Sequence, residues 1–194
     1  MAIVTEVSVI NDALALLGAG TISSRTENTE AARVANRIFD TNRDAVLRAH
    51  PWNFAIKRAS LANTGTTPTF TYDYAFTIPS DCLRVLGVTE DIDGTETDDV
   101  PHKIEQGEIL CDESSIYVMY IFREDNPENW DAKFAEALSA KLAFKMSYSL
   151  TQSLPLQEQM KKYWEQTLSE ARSFDGMEGT MDAFIVDTWL DARR

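Results

Sequence analysis

Residues 43–61 read RDAVLRAHPWNFAIKRASL, and within them the chain passes from one hydrophobic period to another. Upstream, Ala31, Val34, Ala35, Ile38, Phe39, Ala45, Val46 and Leu47 recur at helical spacing. That spacing predicts a helix over 28–49, opened near Asn28-Thr29, with Arg33, Arg37, Asp40, Arg43, Asp44 and Arg48 on its wet side. His50-Pro51 stops it, because proline disfavours helical geometry in the residue before it and has no N–H to donate. Beyond the proline, 53–61 alternates with Phe54 and Ile56 on one face, which predicts a strand. A helix that hands over to alternating residues places the start of a β block at this point.

Downstream the alternation continues. Phe70, Tyr72, Tyr74, Phe76 and Ile78 form a strict period-two row, the strongest strand signal in the chain. Pro79-Ser80-Asp81 is a turn. Residues 82–89, 103–105, 108–110 and 116–122 read as further strands, with turns at Gln106-Gly107 and 112–115. Residues 91–100, acidic and glycine-containing, read as an exposed loop. Towards the N-terminus, Val7, Ile10, Leu14 and Leu17 predict a helix over 5–17, capped by Thr5 and stopped by Gly18-Ala19-Gly20.

Helices return over 129–148, where Trp130, Phe134, Leu138, Leu142 and Met146 share a face. Another is predicted over 155–174, where Pro155 suits the first turn and Leu156, Met160, Tyr163, Trp164, Thr167, Leu168 and Ala171 make an apolar stripe. Helices, then strands, then helices is an α+β order rather than alternating βαβ. The expected architecture is one domain over 1–175, with N- and C-terminal helices packed as a bundle and a central antiparallel β block over 53–122. An extended C-terminal interaction arm over 176–194 follows. It holds Met181, Phe184, Ile185, Val186, Trp189 and Leu190 in a segment too short to fold alone. Such residues either cover the chain's own core or dock on another chain.

The 194 residues suffice to bury a core without disulfides or metals. No apolar run approaches the roughly 20 residues of a membrane span, and the N-terminus lacks a basic-then-apolar leader pattern. A net charge of −13 argues against an ordinary nucleic-acid binder, which needs clustered Lys and Arg to neutralise phosphates. It does not exclude a wall past which DNA slides without adhering, although an acidic surface that merely keeps the protein soluble is the plainer reading. Cys82 and Cys111 are too few for a disulfide framework and read as packing residues.

Chemistry is sparse. His50 and His102 stand apart from any His/Cys cluster, so neither a metal nor another cofactor is expected. Phosphate-cradling glycine loops and a nucleophile elbow are absent from the sequence. A thiol nucleophile would need Cys82 or Cys111 brought against His50 or His102 in space. Asp91, Asp93 and Asp99 resemble a calcium loop loosely, but Gly94 comes too early and no closing glutamate follows in register. The aromatic row at 70–78 lacks the interleaved cations of a nucleic-acid stacking platform, so a core or interface face is expected there.

The stretch 43–55 resembles the signature of the tail tubular protein A family, the head-to-tail adaptors of podoviruses. His50, Pro51, Trp52, Asn53 and Phe54 stand at its centre as structural residues. Further likenesses follow in order: Asn11-Asp12-Ala13-Leu14 through Leu17-Gly18, then 30–36 (EAARVAN), then Tyr74-Ala75-Phe76 with 78–84 (IPSDCLR). The stretches 134–143 and 148–153 resemble the family's C-terminal helices. The resemblance covers roughly residues 5 to 175, while 90–102 and the arm after 176 carry none of its motifs.

The resemblance implies a non-enzymatic virion protein of the tail connector, assembled in the host cytoplasm. It would form a closed homo-oligomeric ring of about twelve copies through head-to-tail contacts. That ring would lie beneath the portal protein, touch the tail nozzle protein, offer attachment to tail fibres or spikes, and surround the channel for exiting DNA. No sequence-specific DNA contact is implied. On this reading Phe184, Ile185, Trp189 and Leu190 are the expected portal-docking residues, and Asp91, Asp93, Asp98 and Asp99 lie on a tail-facing loop. Two rival readings are a monomeric intracellular acidic module that binds a basic or helical partner, and a thiol hydrolase.

Overall fold

A computed structural model of the chain describes residues 4–90 and 100–178. These residues make an α+β protein of four helices and two small antiparallel sheets. The helices are α1 (Glu6–Leu16), α2 (Glu30–Ala49), α3 (Ala132–Thr151) and α4 (Leu154–Glu178). The strands are β1 (Ile56–Leu61), β2 (Tyr74–Thr77), β3 (Cys82–Thr89), β4 (Lys103–Glu105), β5 (Glu108–Cys111) and β6 (Ile116–Phe122). The described residues fall into two compact units, a helical one of residues up to Ala55 together with 123–178, and a β unit over Ile56–Phe122. Among the described residues, no helix is long and apolar enough to cross a membrane.

In the helical unit each start has a chemical reason. The Thr5 hydroxyl accepts from Ser8 N–H while Ser8 Oγ accepts from Thr5 N–H, a reciprocal box that satisfies two donors at the head of α1. Thr29 caps α2 through Ala32 N–H, and the Asp131 carboxylate caps α3 through Lys133 and Phe134 N–H. Gly18, at φ 66°, supplies the left-handed residue that closes α1. Helix α3 packs against α1, α2 and α4. Accordingly Ala137, Leu138, Ala140, Leu142, Ala143 and Met146 are all buried. Its buried hydroxyls, Ser139 and Ser147, each donate to a carbonyl three residues back at 2.8 Å, so they cost little inside.

The β unit holds two three-stranded sheets, ordered β1-β6-β3 and β2-β5-β4. Ile56 pairs with Ile121 and Leu61 with Ile116 along β1 and β6. Strand β3 pairs with the other edge of β6 and carries register shifts between Cys82 and Arg84 and between Val85 and Gly87. Phe76, Val88, Val100, Ile109, Cys111, Ile116, Val118 and Tyr120 form its core.

Several expectations need correction. The aromatic row at 70–78 yields a strand only over Tyr74–Thr77, because its partner β5 has four residues and ends at Cys111. Upstream, Thr71 turns at φ 79° and Phe70 is 80% exposed. The strand expected over 53–61 begins at Ile56, because Asn53–Ala55 closes as a 3-10 turn with Ala55 N–H bonded to Trp52 O. Val100, read as the end of an exposed loop, is buried and donates its N–H to Val88 O. A second 3-10 turn at Pro127–Asn129 precedes α3, which therefore starts later than read. Helix α4 runs through Gly176, where the sequence suggested a stop.

Candidate functional site, a clasp between helix ends

The end of α2 and the residues after it form one joint. Pro51 ends the helix and swings Trp52 inward, where the side chain is fully buried. Its indole N–H donates to Val46 O at 3.0 Å, satisfying one of the last helical carbonyls that lack an intrahelical partner. Around the indole stand His50, Phe54 and Phe134, with ring centroids 4.9, 6.4 and 5.3 Å away. Phe134 in turn meets Trp130 edge-on at 5.4 Å, and Trp130 stacks on Phe39 at 6.4 Å. Offset and edge-to-face contacts of this kind add about 0.5–1.5 kcal/mol per pair beyond the area buried.

The tight turn after Trp52 points Asn53 at α4. There the buried stripe Met160, Trp164, Thr167, Ala171 ends on Asp175, itself 7% exposed. His50 Nε2 lies 2.9 Å from Asp175 Oδ2, and Asn53 N–H donates to Oδ1 at 3.0 Å. The Asn53 side-chain amide donates to the Asp175 backbone carbonyl at 2.9 Å. Arg172 reaches the other way, donating to Ala49 O at 3.0 Å. A buried carboxylate is tolerated where its oxygens are bonded, and here both are. The clasp fixes the last turns of α4, the element that runs into 179–194.

A charged network ties the rest of the unit. Arg43 was read as wet, yet it is buried and bonds Asp44 at 2.9 Å and Asp125 at 2.8 Å. The second Asp44 oxygen accepts from Arg123 Nε at 2.9 Å. Arg25 spans Glu6 at 2.7 Å and Asp40 at 3.2 Å while lying over the Phe39 ring. The reason for the misreading is periodicity: position 43 lies one turn from both Phe39 and Leu47, so it belongs to the buried stripe.

Cys111 is buried, burial pushes its thiol up, and Sγ donates to Glu113 O. A nucleophilic cysteine needs the opposite shift. Tyr120, Asp81 and Lys57 form the other polar cluster, with Asp81 bonded to the phenol at 3.2 Å and to Lys57 at 2.9 Å. Burial, then the Asp81 charge, pushes the Tyr120 hydroxyl up to about 12. Burial also acts to raise Asp81, but its bonds to Lys57 and Tyr120 prevail and hold it below the usual range. Among the described residues, no group of three His, Cys, Asp or Glu side chains could hold a metal ion.

Of the site residues expected from sequence, His50, Trp52, Asn53 and Phe54 join the clasp, with Pro51 as its bend. Phe184, Ile185, Trp189 and Leu190, and also Asp91, Asp93, Asp98 and Asp99, lie outside the described residues. Asp175 was missed. Its signal was present, since it continues the spacing 160, 164, 167, 171 with an acid on an apolar stripe. No family model and no curated protein matches the chain.

Proposed function

We propose that the chain is the ring-forming head-to-tail adaptor of a short-tailed phage, a virion component joining portal to tail nozzle around the DNA channel. The observation that carries this reading is the role of the motif on which the resemblance rests. His50 to Phe54 form the joint between α2 and α4, which supports a mechanical role for the motif. A mechanical adaptor needs such rigidity where its helices present surfaces to neighbours. Its work is self-association through two different patches per subunit, which closes a ring. The acidic balance is compatible with a lumen that DNA traverses without adhering. Tail fibres or spikes are further partners on this reading.

The test is sedimentation of the full chain alone and mixed with the portal protein of the same phage. Movement of the chain into the portal peak is the expected result. A chain that stays monomeric with portal at every concentration would leave the soluble acidic binding module as the better account.

A further inference from the structure

In the β unit, a groove of about 270 Å³ lies on one face of the β2-β5-β4 sheet, lined by Ala75 and Leu110 and by the loop over 66–72. Thr71 holds that loop at φ 79°, a strained conformation for a β-branched residue, and Phe70 beside it is 80% exposed. Glu105 and Glu108 pair directly across the turn at Gln106-Gly107, so their carboxylates stand on one face, and both line the groove. Like charges placed so destabilise a hairpin. Among the described residues neither carboxylate has an ion-pair partner, and Lys103, which also lines the groove, joins neither. Strain, an exposed aromatic ring and two unneutralised acids at one groove point to an occupant that carries positive charge.

Helix α3 holds the opposite arrangement. Lys141 and Lys145 are one turn apart on one face, Lys141 over the Trp164 ring at 4.5 Å and Lys145 over Phe144 at 5.2 Å. Burial and then the Lys145 charge hold the Lys141 ammonium below its ordinary range. Acids outnumber bases 31 to 18 in the chain, yet among the described residues neither lysine meets a carboxylate. Tyr148, the next position along that face, is 50% exposed. The spans also match. Opposed strand residues have Cβ atoms about 4.5–5.5 Å apart, and residues one helical turn apart about 5–6 Å.

We infer that the Glu105–Glu108 groove of one copy docks on the Lys141–Lys145 face of α3 in a second copy, with Phe70 and Tyr148 as the apolar part of the contact. This rests on the ring reading, because a closed ring requires two dissimilar patches on each subunit. The charges set register and choice of partner, and the aromatic area supplies affinity, since exposed ion pairs contribute little by themselves.

The test mixes heavy-isotope-labelled and unlabelled full-length chains in equal amounts, alone and with portal, and treats them with a zero-length carbodiimide. That reagent condenses a carboxylate with an amine already in contact with it. Expected are peptide pairs joining Glu105 or Glu108 to Lys141 or Lys145, with one half labelled and the other not. In sedimentation, Glu105→Lys and Lys145→Glu, both at exposed positions, should each weaken self-association by about tenfold or more, and the two combined in one chain should restore it. Links confined to a single label would place the contact within one chain and overturn the inference. Rings that form without these links, or that tolerate both single reversals, would overturn it and leave the ring standing. A native chain that stays monomeric, alone and with portal, would remove contact and ring together. Linked copies that never co-sediment with portal would keep the contact and remove the adaptor reading.

Discussion

Replacing Asp175 by alanine removes the acceptor for Asn53 N–H and the partner of the His50 imidazole together. Hydrogen bonds to a carboxylate are worth about 1.5–3 kcal/mol, so the unfolding free energy should fall by that much, read as a lower urea midpoint at unchanged slope, while circular dichroism stays helical. Trp52→Ala should cost about 3–5 kcal/mol, since it empties a fully buried site and frees the Val46 carbonyl. Tyr120 gives a pH signature of definite sign. Its folded pKa, near about 12, exceeds the unfolded value of about 10. Its contribution is therefore whole below pH 10 and is lost as pH rises towards 12. Denaturation midpoints measured across that window should fall, and Tyr120→Phe should flatten that part of the slope. Asp81, held low, acts in the opposite sense, its contribution present above about pH 4 and lost as the medium turns acid.

At the scale of elements, β2 separates two aromatic residues of the same sequence row. Phe76 is fully buried in the core and Phe70 is 80% exposed. Phe76→Ala should cost about 3–5 kcal/mol and Phe70→Ser less than about 0.5 kcal/mol, both read by chemical denaturation. The contrast shows what local pattern can and cannot carry. Strands β3, β4 and β6 were legible to the residue, because alternation and flanking turns agree there. The start of β2 was not, because it depends on the length of β5, four residues that turn away at Asp112, where the side chain accepts from Asp73 N–H. The motif at 50–54 was legible as a helix stop. Its partner Asp175 was not, because that contact joins residues 125 positions apart, and sequence periodicity marks a face without naming what it meets.

For the molecule as a whole, the proposed adaptor role makes assembly indifferent to its thiols. Cys82→Ala with Cys111→Ala should leave portal co-sedimentation intact, whereas loss of that association would point to thiol chemistry or to a core that cannot spare Cys111. The arrangement of the two units has a consequence for ancestry. Among the described residues the β unit occupies one uninterrupted stretch, and its first and last strands lie side by side with Ile56 opposite Ile121. Its two chain ends are thus separated by about one strand spacing, near 5 Å. A stretch whose ends nearly touch can be exchanged by recombination as a cassette, with a short linker from Ala55 to Arg123 standing in its place. Lineages can then replace the β unit while inheriting the helical unit and its clasp unchanged.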